Sequence, residues 1–512
     1  MVCFCEEAHH LSCTGRHKSR NTATIPRFIH GKILAMIDSS MWRSAWEDHY
    51  ADALPHGKDR LLEDSGTAIM FHSVLDGRLA VQAGTFERLL ADEPEIERDV
   101  LDHWGEVPDE INSPADLVLG FVASFGQGLA MQRMIRDEHT FQWALNRLGY
   151  DELALGGTSA NMAMAVVSLD VPRVLVYANP LTRPLAEAFP ESPSLMTIGS
   201  DGRTGTPREV AEGDDVFAIH WILEYQAGDT LTIGPHALTA PRANRFIPSW
   251  NPANNQLRLS EGFMQTFAEI ATDYRYLFVS GFHILSDRYP DGSTALDCIR
   301  PVADYLGMLR ERAPNLRFHC ELASIAGELV RKGVREMILP RMDSLGLNEA
   351  ELMNWLEDLG HANISEQIRT TNSPVAVLDG VCAIAEATGV GRVHLHHLGY
   401  YLVVCNHITP KSVRQGLLTG ACAAAIRARE GRATRHDEIG PMAEIPLQDH
   451  SFELMTALTE YIEGDDFITT GIGTCAGHTV VMIPTRIVDR PVRTVGLGDT
   501  ISASSWLAEP AE

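Results

Sequence analysis

From about residue 64 onward, short apolar runs alternate with segments of helix length, and this alternation limits the folds open to the chain. The runs that predict strands are 66–76, 173–179, 276–282, 316–322, 336–348 and 392–404. Amphipathic segments that predict intervening helices include 298–312, 322–335 and 349–360. Strands that are apolar on both faces and joined by helices form a doubly wound, mostly parallel sheet flanked by helices. The predicted fold class is therefore α/β.

Two stretches break this alternation and predict a smaller domain of the α+β kind. Residues 77–150 are acidic and have helical periodicity, whereas residues 206–256 have the pattern of antiparallel strands. We expect these two stretches to form a lid inserted between strands of the core. The segments predicted for the large domain are 64–76, 151–205 and 257–512.

Residues 1–63 form an N-terminal leader that we expect to be partly disordered. Its first forty residues lack apolar periodicity, and the first twenty contain three cysteines and three histidines: Cys3, Cys5, Cys13, His9, His10 and His17. Such side chains can bind zinc, but their spacing matches no standard zinc finger. A disordered leader, or translation that begins at Met41, is the better interpretation.

Composition and charge exclude several classes of partner. Among 512 residues, 68 are acidic and 42 basic, which leaves a formal net charge of −26. An acidic surface disfavours nucleic acid and anionic membranes, and no run approaches the roughly 18 apolar residues of a membrane helix. Nine scattered cysteines without a secretion signal fit reduced thiols. We expect a cytoplasmic monomer or small homo-oligomer that binds small molecules.

A glycine-rich turn, TVGLGDTISA at 494–503, is the clearest chemical signal. A β-branched run precedes it and a hydroxyl-rich helix start follows, so Gly496 and Gly498 are predicted on a strand-to-helix turn. Exposed N–H groups at a helix N-terminus bind anions, most often phosphate. Asp499 in such a site suits a base that takes a hydroxyl proton during phosphoryl transfer. The alternative is an aspartate that only caps the helix.

Carboxylates and an amide at two places predict a site for a hard, oxygen-liganded ion. His319 and Glu321 share one face at the end of a predicted strand. Asn348 and Glu351 lie three residues apart on a helical face, which suits Mg²⁺ bound directly or through water. The alternative is a helix cap at Asn348 with a solvated Glu351. The three histidines within 392–404 are interpreted as neutral core residues, with no zinc site.

In their order along the chain, these stretches resemble the ribokinase-like kinases, and more closely their ADP-dependent glucokinase/phosphofructokinase branch. The segments that carry the resemblance are PRANRFIPSW (241–250), FVSGFHIL (278–285), HCELAS (319–324), DSLGLNEAEL (343–352), VHLHHLGYY (393–401) and IPTRIVDRPVRTVGLGDTISAS (483–504). The resemblance runs from about residue 64 to the C-terminus. It implies a ribokinase-like, nucleotide-binding large domain and ADP as phosphoryl donor, neither of which spacing or composition shows.

The resemblance implies roles for residues that match the family pattern. Asp499 would be the base, and the backbone of Gly496, Leu497 and Gly498 would hold the transferring phosphoryl group. Arg245 would reach from the lid to the nucleotide phosphates. The residues that would hold Mg²⁺, or another divalent cation, through its water shell are Glu321, Asn348, Glu351 and Asp499. Those that would contact the acceptor sugar are Asp76, Gly156, Gly157 and Gln132.

The acceptor pocket departs from the family pattern. His72 and Val74 stand where asparagines are usual, and Thr158 replaces an amide. Gln132 stands where glucokinases have a glutamate and phosphofructokinases a small residue. The sequence therefore leaves the acceptor open.

The implied activity is transfer of the β-phosphoryl group of ADP to a hydroxyl of a hexose or hexose phosphate, of the glucose or fructose 6-phosphate class, with release of AMP. Two alternatives stay open. One is an ATP-dependent sugar or nucleoside kinase of the wider superfamily. The other is a non-catalytic sugar-binding protein, although the intact GLGDT, HxE and NxxE patterns speak against it.

Overall fold

The computed structural model describes residues 39–82, 84–406, 408–442 and 444–510. The chain divides into two compact units, Met1–Met41 and Trp42–Glu512. Most of the first unit, including the three cysteines and three histidines named above, lies outside the described residues. Apart from residues 39–41, everything that follows concerns the second unit.

The strands have these bounds in chain order: β1 (Thr67–Met70), β2 (Val74–Ala80), β3 (Met131–Met134), β4 (Glu152–Gly156), β5 (Val174–Val176), β6 (Leu195–Ile198), β7 (Thr204–Gly205), β8 (Ile219–Tyr225), β9 (Thr230–Ile233), β10 (His236–Thr239), β11 (Asn244–Trp250), β12 (Tyr276–Val279), β13 (Arg317–Glu321), β14 (Ser344–Asn348), β15 (Arg392–His396), β16 (Tyr400–Cys405), β17 (Ile472–Cys475) and β18 (His478–Pro484).

The α-helices have these bounds: α1 (Ser39–Leu61), α2 (Thr85–Ala91), α3 (Pro94–Asp102), α4 (Pro114–Gln127), α5 (Glu138–Trp143), α6 (Thr158–Ser168), α7 (Arg183–Ala188), α8 (Pro207–Val210), α9 (Glu261–Ile270), α10 (Ala295–Arg312), α11 (Glu328–Gly333), α12 (Glu349–Asp358), α13 (Ala362–Thr371), α14 (Pro374–Thr388), α15 (Pro410–Glu430), α16 (Asp449–Thr456), α17 (Phe467–Thr470) and α18 (Leu497–Leu507). In the described part of the chain, no helix is long and apolar enough to cross a membrane.

The larger sheet has eleven strands in the order β17-β18-β16-β15-β14-β13-β12-β1-β5-β6-β7. Pairing is parallel from β15 through to β6 and antiparallel at both edges. The central strands are fully or almost fully buried because helices joined to them cover the sheet. The predicted α/β class with a mostly parallel sheet is confirmed.

A second sheet has the order β3-β11-β8-β2-β4, and β9 and β10 form a separate hairpin. Strands β8 and β11 pair in antiparallel fashion, as the pattern of residues 206–256 predicts. Strands β2 and β4 also belong to this sheet, although β4 and the start of β2 fall in the ranges predicted for the large domain. The division into a large domain and a lid stays a prediction.

Three predicted strands are wrong in part. The run 66–76 is two strands: β1 belongs to the larger sheet and β2 to the second, so the chain changes sheets between them. The run 392–404 is the hairpin of β15 and β16, with His397 in its turn. In 336–348 only β14 is extended, and the residues before it are helical around Pro340, which lacks the N–H that a strand ladder needs. In the runs 66–76 and 392–404, periodicity alone cannot detect the interruption, because the strands on both sides of it are apolar.

A buried ion pair connects the C-terminal end of the chain to the centre of the larger sheet. Arg392 on β15 donates from Nη2 and Nε to Glu509 Oε1 at 2.6 and 3.0 Å. Both side chains are almost completely buried. Removing one partner from such a pair leaves the other charge buried without compensation.

We expect Glu509→Ala to lower the free energy of unfolding by about 3–5 kcal/mol, measured by urea denaturation. The double variant Arg392→Met/Glu509→Leu should recover much of the loss because no charge stays buried. As a control, Asp214→Ala removes an exposed ion pair with Arg183 and should change little. Equal effects of Glu509→Ala and Asp214→Ala would show that the buried pair does not stabilise the fold.

Candidate active site

The turn before α18 has the conformation that its glycines predict. Gly496 has a φ of 75°, which glycine adopts without strain. A Cβ atom at this position would lie 2.6 Å from Arg427 Nη2 and 3.0 Å from Asn161 Cγ. Gly496 is the N-cap of α18, and side chains from α6 and α15 approach α18 at this glycine.

Asp499 lies in the first turn of α18 but does not cap it. The N-cap is Gly496 and no side chain caps the helix, so the capping interpretation of Asp499 is wrong. The N–H groups of a first helical turn have no intrahelical acceptor and bind anions readily. Of the predicted donors, Leu497 already donates its N–H to the Thr494 carbonyl at 3.3 Å.

Three helices surround the Asp499 carboxylate with polar groups. Burial raises the pKa of Asp499 to about 7, the Arg427 guanidinium on α15 opposes this shift, and the Glu351 carboxylate adds to it. Asn161 on α6 forms a hydrogen bond with Asp499 that also lowers its pKa. A carboxylate whose pKa lies near neutrality can accept a proton from a substrate at physiological pH.

A cleft of about 620 Å³ opens beside Asp499, lined by strands of the second sheet on one side and by helices and loops that include the start of α18 on the other. The predicted site residues that line it are Asp76, Gln132, Gly157, Arg245, Glu351, Gly496 and Asp499. The other predicted residues do not line it: Gly156, Glu321, Asn348, Leu497 and Gly498. The structure therefore brings groups from the acceptor, base and lid predictions into one cavity.

Glu321 lies behind Asp499 in a network of buried polar side chains. His319 Nε2 lies 3.1 Å from one Glu321 oxygen, and His396 Nε2 lies 3.3 Å from the other. Burial raises the pKa of Glu321 well above its usual value, a hydrogen bond from Ser502 opposes this shift, and the charges of Asp499 and Glu351 add to it.

Asn348 and Glu351 form a reciprocal capping box at the start of α12. The Asn348 side-chain oxygen accepts from the N–H of Glu351 at 3.1 Å, and the Glu351 carboxylate accepts from the Asn348 N–H at 2.9 Å. The capping interpretation of Asn348 is therefore right. Glu351, however, is 5% exposed rather than solvated, and burial raises its pKa to about 7.

The donors present fit a divalent cation that is held through water. Glu321, Glu351 and Asp499 are buried close together, and the charges of Asp499 and Glu351 raise the pKa of Glu321, as the charge of Glu351 does that of Asp499. Carboxylates in such a group suit Mg²⁺, which keeps several of its water ligands. Among the described residues, no three His, Cys, Asp or Glu side chains lie close enough to bind one ion directly. These residues therefore fit Mg²⁺ that is bound through its water ligands, and they do not fit an ion bound directly by three or more of these side chains.

The side of the cleft that is predicted to bind the acceptor centres on Asp76 of β2. Burial raises the pKa of Asp76 to about 6, and three nearby arginines, Arg493, Arg78 and Arg245, oppose this shift. Gly156 packs against this carboxylate, since a Cβ atom there would lie 2.0 Å from Asp76 Oδ1. Gln132 is exposed on β3 and donates from Nε2 to Ser249 Oγ at 3.1 Å.

The conserved region described as "ADP-specific Phosphofructokinase/Glucokinase" matches residues 74–508. The chain belongs to this family. It is 28% identical over 467 residues to the ADP-dependent glucose/glucosamine kinase of Pyrococcus abyssi. The alignment covers 91% of this chain and 99% of the relative. It is 27% identical over 481 residues to the ADP-specific phosphofructokinase of Methanosarcina acetivorans, with 90% and 96% covered.

Solved structures of the family have the same fold. The last common ancestor of ADP-dependent phosphofructokinases from Methanosarcinales has a TM-score of 0.81 at 27% identity, over 92% of this chain and 98% of that one. An ADP-dependent kinase in complex with fructose-6-phosphate and ADPbetaS has a TM-score of 0.76 at 26% identity. That superposition covers 91% of this chain and 98% of the other.

Sequence reasoning misses several groups that the structure places at this family's cleft. Arg493 lines it three residues before Gly496, and a basic residue so near an anion-binding turn is a usable signal. Asn161 and Arg427 meet Asp499 from distant helices, and nothing local in their segments indicates this. His220 and His283 also line the cleft and carry no motif of their own.

We expect Asp499→Asn to retain the fold and nucleotide binding but to lower turnover by about 10²–10⁴, because the amide cannot accept the proton. Steady-state kinetics and nucleotide titration measure the two effects separately. Asp291→Asn, a change in an exposed loop, serves as the control and should be neutral. Retention of more than about a tenth of the wild-type turnover would refute the assignment of Asp499 as base.

Glu321→Gln and Glu351→Gln should raise the Mg²⁺ concentration needed for half-maximal rate several-fold, because each removes a negative charge from the predicted cation site. The acceptor KM should change little. Glu357→Gln, at the opposite end of α12, is the matched control. An increase in acceptor KM with unchanged Mg²⁺ dependence would place these two carboxylates at the sugar instead.

Proposed function

We propose that this ADP-dependent sugar kinase transfers the β-phosphoryl group of ADP to a hydroxyl of a hexose or hexose phosphate. The observation that carries the proposal is a single cleft with Asp499 and Gly496 on one side and Asp76 and Arg245 on the other. A base, an anion-binding turn and a sugar-binding carboxylate in one cavity are what transfer between two small molecules requires. The cytoplasmic location and small oligomeric state stay predictions.

In the proposed reaction, the acceptor hydroxyl oxygen attacks the β-phosphorus of ADP. The hydroxyl proton goes to the Asp499 carboxylate, and the bond from the β-phosphorus to the bridging oxygen breaks, which releases AMP. The pKa of Asp499, raised by burial to about 7, matches this proton transfer near neutral pH. Asn161 would hold the carboxylate by a hydrogen bond, and the charge of Arg427 would stabilise its ionised form.

Charge on the transferring group is stabilised by the start of α18. The dipole of α18 would favour a negative charge at the Gly496 end of the cleft, although Leu497 donates its N–H to the Thr494 carbonyl. Arg493 and Arg245 line the same cavity and would contact phosphate oxygens. Glu321, Glu351 and Asp499 would hold Mg²⁺ through its water shell, and the bound ion would neutralise phosphate charge.

Asp76 would bind the acceptor on the opposite wall. Its carboxylate can accept hydrogen bonds from two neighbouring hydroxyls, and the absence of a side chain at Gly156 leaves room for this carboxylate. Gly157 lines the cleft with its backbone and would let the sugar approach closely.

A matrix of donors and acceptors tests the proposal. Purified protein should phosphorylate glucose or fructose 6-phosphate with ADP and produce AMP, and ATP, GDP and pyrophosphate should serve poorly. Equal or better activity with ATP would favour the ATP-dependent sugar or nucleoside kinase. No turnover with any pair, despite sugar binding in calorimetry, would favour a non-catalytic sugar-binding protein.

Arg245→Ala should lower turnover by at least about 100-fold, because its contact with phosphate strengthens as charge develops. Arg245→Lys should recover only part of the loss, since lysine keeps the charge but lacks the planar fork. Steady-state kinetics at saturating metal measure both variants.

The control for Arg245 lies on the same segment. Arg242 donates from Nε to the Gly128 carbonyl at 2.6 Å and does not line the cleft, so Arg242→Ala should keep near-normal turnover. The competing account is a surface salt bridge of Arg245, although no ion pair of this residue is found within the described ranges. Near-normal turnover of Arg245→Ala would support that account.

A further inference from the structure

Three polar side chains lie in one row across the centre of the larger sheet. His319 on β13 pairs in register with Ser344 on β14, and Ser344 pairs with Arg392 on β15. All three residues are 0% exposed. The strand register therefore places three hydrogen-bonding groups side by side in the interior, and we call His319, Ser344 and Arg392 the buried row.

Hydrogen bonds connect the members of the buried row to each other and to a carboxylate at each end. Arg392 Nη1 donates to Ser344 Oγ at 3.1 Å, and Ser344 Oγ lies 2.8 Å from His319 Nδ1. At one end, Arg392 also donates to Glu509. At the other end, His319 Nε2 lies 3.1 Å from Glu321 Oε2. A continuous series of side-chain contacts thus runs from the C-terminal end of the chain to the predicted cation site.

The direction of each hydrogen bond follows from the donors that are available. A guanidinium group has only donors, so the Ser344 oxygen accepts from Arg392. The Ser344 hydroxyl has one proton, and among the described residues it has no partner besides Arg392 and His319. If His319 Nδ1 also carried a proton, the serine proton would be buried without an acceptor, which is costly. Ser344 therefore donates to His319 Nδ1.

This direction fixes where His319 carries its own proton. A neutral imidazole has one N–H group, and with Nδ1 as acceptor that group is Nε2–H, which faces Glu321. Burial lowers the pKa of His319 well below its usual value, and the charge of Arg392 adds to this shift, in agreement with a neutral ring. A carboxyl group can accept a hydrogen bond or, when protonated, donate one. Toward this ring Glu321 can only accept.

Other groups around Glu321 confine the same carboxylate. Gly346 pairs with Glu321 in the sheet register, and a Cβ atom on Gly346 would lie 2.0 Å from Glu321 Oε2. His396 Nε2 lies 3.3 Å from the other oxygen, Oε1. Hydrogen-bond partners that orient metal-binding carboxylates typically change metal affinity by about 10- to 100-fold when they are removed. The donor from His319 is therefore expected to matter for the cation.

We propose that Ser344 and Arg392 are positioning residues for the cation site, because they fix the His319 tautomer whose Nε2–H holds the Glu321 carboxylate. The inference rests on the proposed function, which it deepens, since Glu321 is one of the residues proposed to hold Mg²⁺ through water. Neither Ser344 nor Arg392 lines the cleft. Both act through His319 and contact neither the acceptor nor ADP.

The position of the ring proton can be measured by NMR without substrate or metal. In protein with ¹⁵N-labelled histidine, the His319 ring should have a protonated Nε2 and an unprotonated Nδ1 at neutral pH. Its signals are those that disappear in His319→Gln. A proton on Nδ1, or on both nitrogens, would overturn the proposal. Because the wild-type protein carries this result, it holds even if a buried variant fails to fold.

A double-mutant cycle separates the tautomer from packing. Ser344→Ala should raise the Mg²⁺ concentration needed for half-maximal rate about tenfold. In His319→Gln, the amide NH₂ group can replace Nε2–H, and it donates without help from the serine because an amide has no tautomers to select. Adding Ser344→Ala to His319→Gln should therefore change the Mg²⁺ requirement by less than about twofold. Equal factors in the two backgrounds would show that Ser344 acts through packing alone, which overturns the proposal.

Ser365→Ala is the matched control. Ser365 on α13 is also 0% exposed, accepts from Arg369 Nη2 at 3.4 Å and donates to Glu357 Oε1 at 2.9 Å. Its loss should leave the Mg²⁺ requirement unchanged whatever its effect on the melting temperature. An unchanged requirement in Ser344→Ala, with the expected shift present in Glu321→Gln, would overturn this inference alone. If Glu321→Gln gives no shift either, the cation assignment in the proposed function fails, and the NMR measurement still decides the tautomer.

Discussion

Buried negative charge at one edge of the larger sheet is the constraint on which the site depends. Glu321 ends β13, Glu351 lies in the first turn of α12 and Asp499 in that of α18, so the connections of the parallel strands concentrate three carboxylates where water is scarce. Burial raises the pKa of each of them, and their charges repel one another. Uncompensated burial of charge is costly, so this arrangement requires Arg427 and favours a cation.

The second sheet supplies a wall of different character. Between β1 and β2 the chain passes from one sheet to the other, and His72 lies at that passage. Asp76 and His220 of this sheet then line the same cleft as Asp499 and Gly496. In the proposed reaction, the start of α18 supplies the base and stabilises phosphate charge, and Asp76 on the second sheet binds hydroxyl groups of the acceptor. Closure of the two walls would also keep water from the phosphoryl group.

Local patterns predicted those parts of the structure that depend on a few consecutive residues. The glycine turn before Asp499 and the capping box of Asn348 with Glu351 each lie within four residues, and both formed as local geometry dictates. The predicted strands were wrong where one apolar run contained two strands, as in 392–404, because hydrophobic periodicity does not detect a tight turn. Whether Glu351 is solvated or buried depends on groups far away in the chain. The alternative of a solvated Glu351 was therefore wrong, although the helix cap at Asn348 was right.

The sequence by itself determined the α/β class, the glycine turn and the helix cap at Asn348, because these follow from periodicity and from contacts within a helical turn. Only the tertiary structure decided that Arg427 and Asn161 meet Asp499, and that His319, Ser344 and Arg392 lie in one row across three strands. These partners come from separate helices, strands and loops that are distant in the chain. The order and register of strands and the packing of helices bring them together, and burial then sets their charge states.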